Sequence, residues 1–523
     1  MASTTTLQAV LLAATVAYAV HRQLTKQKPP APYPPGPNPL PILGNVADLT
    51  TKELWLLAKK WANKYGSITY LHVFGQDLVY LNTPEVAFEL LDKRGAIYSD
   101  RPRLVMAGEL CGCENMVAFA PHGDTSRRQR KLMQTALGLS SIKTYQPLFE
   151  LETRPFLKRL VEDPFGFRDH IRQYAGGLTL LILYGYQVQS VNDPFLRLAD
   201  ECVWLISNRI LSGGGIWPVD VFPSLKRLPE WFPGAGFKRN AATWKKKMEE
   251  FADRPYKFVL DEMDKGTARS SFVSVLLDDV AQSKDKEVDP QLGFDVRWTA
   301  NSMFSGRPSH SSGSIIATIS QFILAMVQHP EVLKRAQAEV DAVVGKNRLP
   351  VCEDRESLPY CDAIFLETFR WGVPAPFTLP HRLTEDDIYD GMFIPKGSLV
   401  SHNESAIFRD EKLFPDPYSF NPDRYLHPAV DEATARRRDP RAYAFGFGRR
   451  RCPGANLVES PVWLLMVSVI ATLDIGKAID DQGREIEPEV VFDDSIFRLP
   501  NPFKFSVSPR SEHALKVLTQ EGA

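Results

Sequence analysis

Between Leu54 and Lys93 the chain changes its hydrophobic period twice. In KELWLLAKKWANKYG, Leu54, Leu57 and Trp61 recur at helical spacing, and Gly66 supplies a stop. SITYLHVFG and LVYLN then read as two short strands joined by a tight turn at Gln76 and Asp77, and Pro84 to Lys93 returns to helix. Longer helical patterns run around residues 145–161, 176–206, 240–264 and 329–344, with strand signals near 387–400 and 484–508. No period repeats along the chain. Helix dominates and the strands are short and segregated, so the expected class is mainly α with a small β region.

Ahead of this body stands Leu7 to Val20 (LQAVLLAATVAYAV), an almost unbroken apolar run. With Ala2 to Thr6 it reaches the roughly 20 residues a spanning helix needs. Arg22, Lys26 and Lys28 follow it and nothing basic precedes it, so the positive-inside rule leaves the body cytosolic. A cleaved secretory signal ending near Ala17-Tyr18-Ala19 is the competing reading, but such signals carry positive charge before the apolar run. Residues 1–20 are therefore read as a membrane anchor and 21–45 as a basic, proline-rich linker whose PPAPYPPGPNPLPILGN favours extended geometry. No composition shift divides residues 46–523, which are expected to form one large domain.

The 62 basic and 63 acidic side chains balance, which excludes a general nucleic-acid binder, and 44% hydrophobic residues exclude disorder. Six cysteines (Cys111, Cys113, Cys202, Cys352, Cys361 and Cys452) are too few and too scattered for a disulfide framework. Cys111, Cys113 and His122 lie close together without the spacing of a zinc site. Cys452 differs from the rest. It sits in FGFGRRRCPG, where two glycines before it and one after permit a tight loop open to a flat ligand. The run after Gly454, NLVESPVWLLMVSVIATL, is helical, so Cys452 precedes a helix N-terminus whose dipole favours a thiolate. Arg450 stands ready to meet a carboxylate on such a ligand.

This loop resembles the haem-binding signature of the cytochrome P450 family, Phe-x-x-Gly-x-Arg-x-Cys-x-Gly, with Phe445, Gly448, Arg450, Cys452 and Gly454 at every specified position. Glu367-Thr-Phe-Arg370 resembles the family's Glu-x-x-Arg helix, Phe420 to Arg424 the segment supplying a second arginine, and Pro34-Pro35-Gly36-Pro37 its proline-rich hinge. The resemblance, nearest to fungal microsomal members, implies haem with Cys452 as its axial thiolate. It implies Arg450, Arg130 and His381 (or Arg382) as propionate partners, and a buried network of Glu367, Arg370 and Arg424. It further implies a substrate pocket drawing on Met106, Leu110, Met303, Phe304, Phe377, Ile496 and Phe497. The implied activity is monooxygenation of a lipophilic small molecule, such as a terpenoid or other fungal secondary metabolite. Dioxygen and NADPH-derived electrons would come through a partner reductase, with cytochrome b5 as a further donor, at the endoplasmic reticulum membrane. Basic clusters at Arg127–Lys131, Arg436–Arg438 and Arg449–Arg451 suit an acidic electron donor.

The chain departs from the family pattern in three places. Ser126 stands where a tryptophan usually contacts a propionate, and His122 where an aromatic residue is frequent. The central helix over the haem, which usually carries an acid and a threonine, reads Ser305-Gly-Arg-Pro-Ser-His-Ser-Ser-Gly-Ser314. Pro308 should kink it. Counting from Trp298 puts Ser309 and His310 at the acid–alcohol position, whereas counting back from Ala325 puts Gly313 and Ser314 there. Three explanations stand open. Hydroxyls and His310 relay protons in place of the acid; the enzyme rearranges or dehydrates an already oxygenated substrate; or the chain is a degenerate, non-catalytic relative.

Overall fold

The computed structural model describes residues 28–41, 43–49, 53–211, 217–281, 289–306, 314–427, 429–492 and 497–519. The expected anchor lies outside them, as do Ser309, His310 and Ile496, and Ser314 is described only as the first residue of a helix.

Helix α1 (Leu54–Tyr65) leads into the strands β1 (Ile68–Val73) and β2 (Gln76–Leu81). Its buried face centres on Trp55, Ala58 and Trp61, rotated from the expected Leu54, Leu57 and Trp61. The hairpin turn falls at Phe74 and Gly75, two residues before the expected position, with φ of 49° and 83°. Two consecutive left-handed residues match the right-handed twist of a two-residue hairpin.

The helical body follows: α2 (Asp124–Leu137), α3 (Leu139–Glu162), α4 (Phe167–Tyr184), α5 (Pro194–Leu205), α6 (Gly236–Asp264) and α7 (Phe272–Ala281). The pattern over 176–206 is not one helix. Gly185, at φ 66°, closes α4 by donating back to Leu180 and Leu181, and Asp193 caps the new start at Phe195 and Leu196. The central helix is likewise described as two pieces, α8 (Pro290–Ser305) and α9 (Ser314–Gln328). Next come α10 (Pro330–Val343) and α11 (Pro359–Gly372), the strands β3 (His381–Arg382), β4 (Asp387–Tyr389), β5 (Met392–Ile394) and β6 (Leu399–His402), and α12 (Ala455–Thr472). The chain closes with β7 (Leu473–Ile479), β8 (Glu485–Ile486), β9 (Phe505–Pro509) and α13 (Glu512–Thr519).

The strands form a four-stranded sheet in the order β1-β2-β6-β3, a β4–β5 hairpin, and a three-stranded sheet in the order β8-β7-β9. Helices and small sheets thus fulfil the expected class. Among the described residues α12 is the one single helix long and apolar enough to cross a membrane, and 78% of it is buried within the protein, as a core helix would be. The prolyl segment does not stand off as a spacer. Tyr70 donates to Pro35 O (2.9 Å), Phe393 to Pro32 O (2.7 Å) and Asn45 to His72 O (2.6 Å). Gly36 and Gly44 press so closely on β1 that a Cβ at either would sit 1.8 Å from a backbone oxygen.

Candidate active site

The cysteine loop is fixed by the chain before and behind it. Cys452 N–H donates to Phe445 O at 2.6 Å, closing the loop, and Arg450 N–H donates to Phe447 O at 3.1 Å. A π-helical turn at Phe88–Lys93 supports it from one side. There Asp92 Oδ1 accepts from Gly448 N–H at 2.6 Å, and Leu91 O lies 2.5 Å from where a Cβ on Gly448 would stand. Gly448 has φ of 50°, so both conformation and space require glycine. Behind Cys452, Gly454 is the N-cap of α12, and a Cβ there would meet the sulfur at 3.8 Å. The result is an exposed cysteine just before a helix N-terminus, which favours its thiolate form. The other thiols differ. Cys111 and Cys113 are buried, and burial pushes Cys111 up to about 12. No cluster of three or more possible metal ligands occurs among the described residues.

Around the loop gather more bases than acids. Arg450 is buried, donating from Nε to Ser99 O (2.8 Å), from Nη2 to Ala120 O (2.9 Å) and from Nη1 to Ser126 Oγ (3.3 Å). Arg130, on α2, donates to Arg451 O at 2.6 Å. Burial lowers its pKa, and the charge of Cys452 opposes that shift. Arg101 donates from Nη1 to Leu379 O (2.7 Å) and Pro380 O (2.9 Å), while its buried Nε has no hydrogen-bond partner. Burial first, then Arg450 and Arg130, push Arg101 down to about 9; burial and Arg130 push Arg450 to about 10.

His381, which the resemblance implies as a propionate partner, is buried and neutral in the protein alone. Burial first, then Arg101, lower it to about 3, so in the protein alone it is a neutral imidazole whose Nδ1–H donates to Tyr98 O at 2.7 Å. Arg382, the alternative, is more exposed and faces Asp100 at 3.5 Å. Asp100 is the carboxylate that bears on both Arg101 and Arg450, and it already accepts from His122 N–H. A group bringing carboxylates to Arg101 and to Arg130, which lies in the field of Cys452, would satisfy the orphaned Nε and the excess positive charge together. The two propionates of haem fit that description.

The expected buried network is assembled. Glu367 and Arg370 on α11 are wholly buried and joined by two 2.7 Å bonds. Arg424 Nε reaches Glu367 Oε1 at 3.2 Å, and Asn421 N–H donates to the same oxygen at 2.8 Å. Arg370 also donates to Phe408, Pro417 and Ser419 carbonyls. Removing one member of such a set strands a buried charge, at about 3–5 kcal/mol.

The sequence model of the family described as Cytochrome P450 matches residues 34–507. The chain belongs to the cytochrome P450 family. It is similar to cytochrome P450 monooxygenase claR of Ampulloclitocybe clavipes, 40% identical over 94% of this chain and 88% of that protein. It is also similar to claT of the same fungus, 37% identical over 98% of both chains. Cytochrome P450 monooxygenase 136 of Postia placenta is 38% identical over 94% of this chain and 91% of that one. A zebrafish cytochrome P450 solved with abiraterone shares the fold, with a TM-score of 0.66 at 20% identity, covering 88% of this chain and 100% of that one.

The chain is therefore a haem-dependent monooxygenase of the cytochrome P450 family. The pocket candidates are less unified than the haem contacts. Met106, Leu110, Met303 and Phe304 share the main core, where the Phe304 ring lies 6.0 Å from Tyr184 and 5.3 Å from Phe251. Phe377 packs instead with Tyr80 in the small cluster around Trp61 and Leu71, and Phe497 is half-buried. Sequence reasoning missed Arg101 and Asp92. Asp100 faces Arg382, while Arg101 donates to the Leu379 and Pro380 carbonyls.

Proposed function

We propose that this cytochrome P450 oxidises a lipophilic small molecule of the terpenoid or related secondary-metabolite class. Cys452 is the axial ligand of its haem, and Arg101, Arg130, Arg450 and His381 receive the propionates. The observation that carries this reading is an exposed cysteine at a helix N-terminus in the field of Arg130, with Arg101 near by whose buried Nε lacks a partner. Bound there, haem supplies the activation of dioxygen and the oxidation of a C–H bond. The protein's own work is to favour the thiolate through the helix dipole and to fix its place with the loop-closing Cys452 N–H bond to Phe445 O. A propionate beside His381 would also raise that imidazole's affinity for a proton.

In place of the usual carboxylate, the sequence offers Ser309 and His310 between α8 and α9, and Ser314 at the start of α9, as proton carriers. Electrons come from NADPH through a reductase, with cytochrome b5 as second donor. Residues 1–20 anchor the chain in the endoplasmic reticulum membrane with the catalytic domain in the cytosol, as the basic residues following the apolar run support. The apolar character of Met106, Met303 and Phe497, and the fungal relatives, support the substrate class.

The test is the reduced carbon-monoxide difference spectrum of the expressed protein beside Cys452→Ala. A band near 450 nm, absent in the variant, is expected from thiolate ligation. A parent band near 420 nm, or no haem, would refute the assignment.

A further inference from the structure

Beneath the cysteine loop lies a buried polar group that the haem contacts do not use. His402 ends β6, and its ring stands nearly perpendicular to Phe447, with centroids 4.7 Å apart. Nε2 faces Glu404 Oε1 at 3.2 Å, and Nδ1 faces Thr378 Oγ1 at 3.0 Å. Both side chains are buried, 1% exposed for His402 and 0% for Glu404. Glu404 Oε2 has no partner. A buried carboxylate with one oxygen unsatisfied is costly, so its place in the fold calls for a role. Whichever of the two side chains carries the proton, Nε2 is hydrogen-bonded to Glu404 and Nδ1 to the Thr378 hydroxyl. Both ring nitrogens are then engaged, and the imidazole cannot flip. Phe447, the ring it braces, lies inside the cysteine loop and provides the carbonyl that accepts from Arg450 N–H.

We propose that His402, oriented by Glu404 and Thr378, is a positioning residue for the thiolate: through the Phe447 ring it fixes the loop that presents Cys452. The proposal rests on Cys452 being the haem ligand. Neither His402 nor Glu404 needs to touch haem or substrate. Loosening the imidazole frees the Phe447 ring, and the loop closed between Phe445 and Cys452 shifts with it.

The experiment follows conversion of the 450 nm carbon-monoxide complex to the 420 nm form, using the full-length holoenzyme at a fixed sub-denaturing guanidinium concentration. Glu404→Leu should convert about tenfold faster than the parent, the rate equivalent of one hydrogen bond. Glu404→Gln retains an acceptor for Nε2–H and should stay within about twofold. In a Phe447→Leu background, Glu404→Leu should add less than about twofold, because the coupling runs through the missing ring. Conversion of Glu404→Leu at the parent's rate would overturn the proposal. So would effects of Glu404→Leu and Phe447→Leu that multiply in the double variant, since that is the signature of general destabilisation. If Glu404→Leu does not accumulate, His402→Gln with the same Phe447 partner gives the same comparison. A parent lacking the 450 nm band refutes the ligand assignment itself and is seen before any variant is made.

Discussion

Replacing Arg101 with leucine should separate the holding of haem from the holding of the fold. Arg101 Nη1 donates to Leu379 O and Pro380 O, whereas Nε is buried with no partner. Without haem, the substitution loses two carbonyl bonds of about 1 kcal/mol each. It also removes a half-buried cation from the field of Arg450 and Arg130, an effect of opposite sign. Stability of the haem-free chain should therefore move by less than about 2 kcal/mol. With haem bound, the lost interaction is a charge-assisted hydrogen bond to a propionate, worth about 1.5–3 kcal/mol. That raises the rate of haem loss by about 10- to 160-fold. The assay is transfer of haem from the holoenzyme to excess apomyoglobin, followed in the Soret band. Arg101→Lys keeps the charge but not the planar fork and should lose haem at an intermediate rate. If Arg101→Leu releases haem at the parent's rate while its melting temperature drops by several degrees, Arg101 is a clamp on Leu379 and Pro380 alone.

Gly448→Ala meets Leu91 O at 2.5 Å and must hold φ of 50°, a conformation costing an alanine about 1–2 kcal/mol. The 450 nm band should give way to 420 nm while far-UV circular dichroism stays that of the parent; an intact 450 nm band would show that the loop tolerates the shift. His381 makes the haem-free protein acid-labile. Its folded value of about 3 lies below the ordinary 6.5, so between those values the unfolded chain binds a proton that the folded chain does not. The contribution to stability is complete above pH 6.5 and is lost as pH falls towards 3. Guanidinium unfolding at stepped pH should show His381→Gln with a flatter slope in that window, and an unchanged slope would count against the assignment.

What could be read from the sequence was what local chemistry dictates. The helical period gave the α class, and the cysteine loop lies where its glycines and the following apolar run required. Glu367 and Arg370, at i and i+3, share a helix face by geometry alone. The misplaced features depend on chain direction or on distant partners. The hairpin turn sits at Phe74-Gly75 because a left-handed pair there suits the strand twist, although Gln76 and Asp77 look more like turn residues. Gly185 broke a continuous apolar pattern because a single left-handed residue closes a helix whatever the periodicity. The place of Arg101 depends on Leu379 and Pro380, far away in sequence, and the protonation of His381 on its burial. Phe304 has the character of a pocket residue but is committed to Tyr184 and Phe251, a distinction that periodicity does not carry.

The departures from the family pattern act on different properties. Ser126 removes an aromatic donor from the cradle, but its hydroxyl accepts from Arg450, and Arg101 brings a cation from a separate loop. Arg101, Arg130 and Arg450 thus supply positive charge from three unconnected parts of the chain, so the loss at 126 leaves the electrostatic match to two propionates in place. The altered central sequence joins α8 to α9 along the chain. The first of these is held to α2 by Arg128 and Asp295 at 2.5 Å, and α2 in turn meets the cysteine loop through Arg130 and Ser126. A stable 450 nm complex combined with slow NADPH-driven turnover and faster peroxide-driven turnover would place the defect in the proton path. Rapid decay to 420 nm would place it in the cradle, where Ser126 and the His402 brace are the residues to change first.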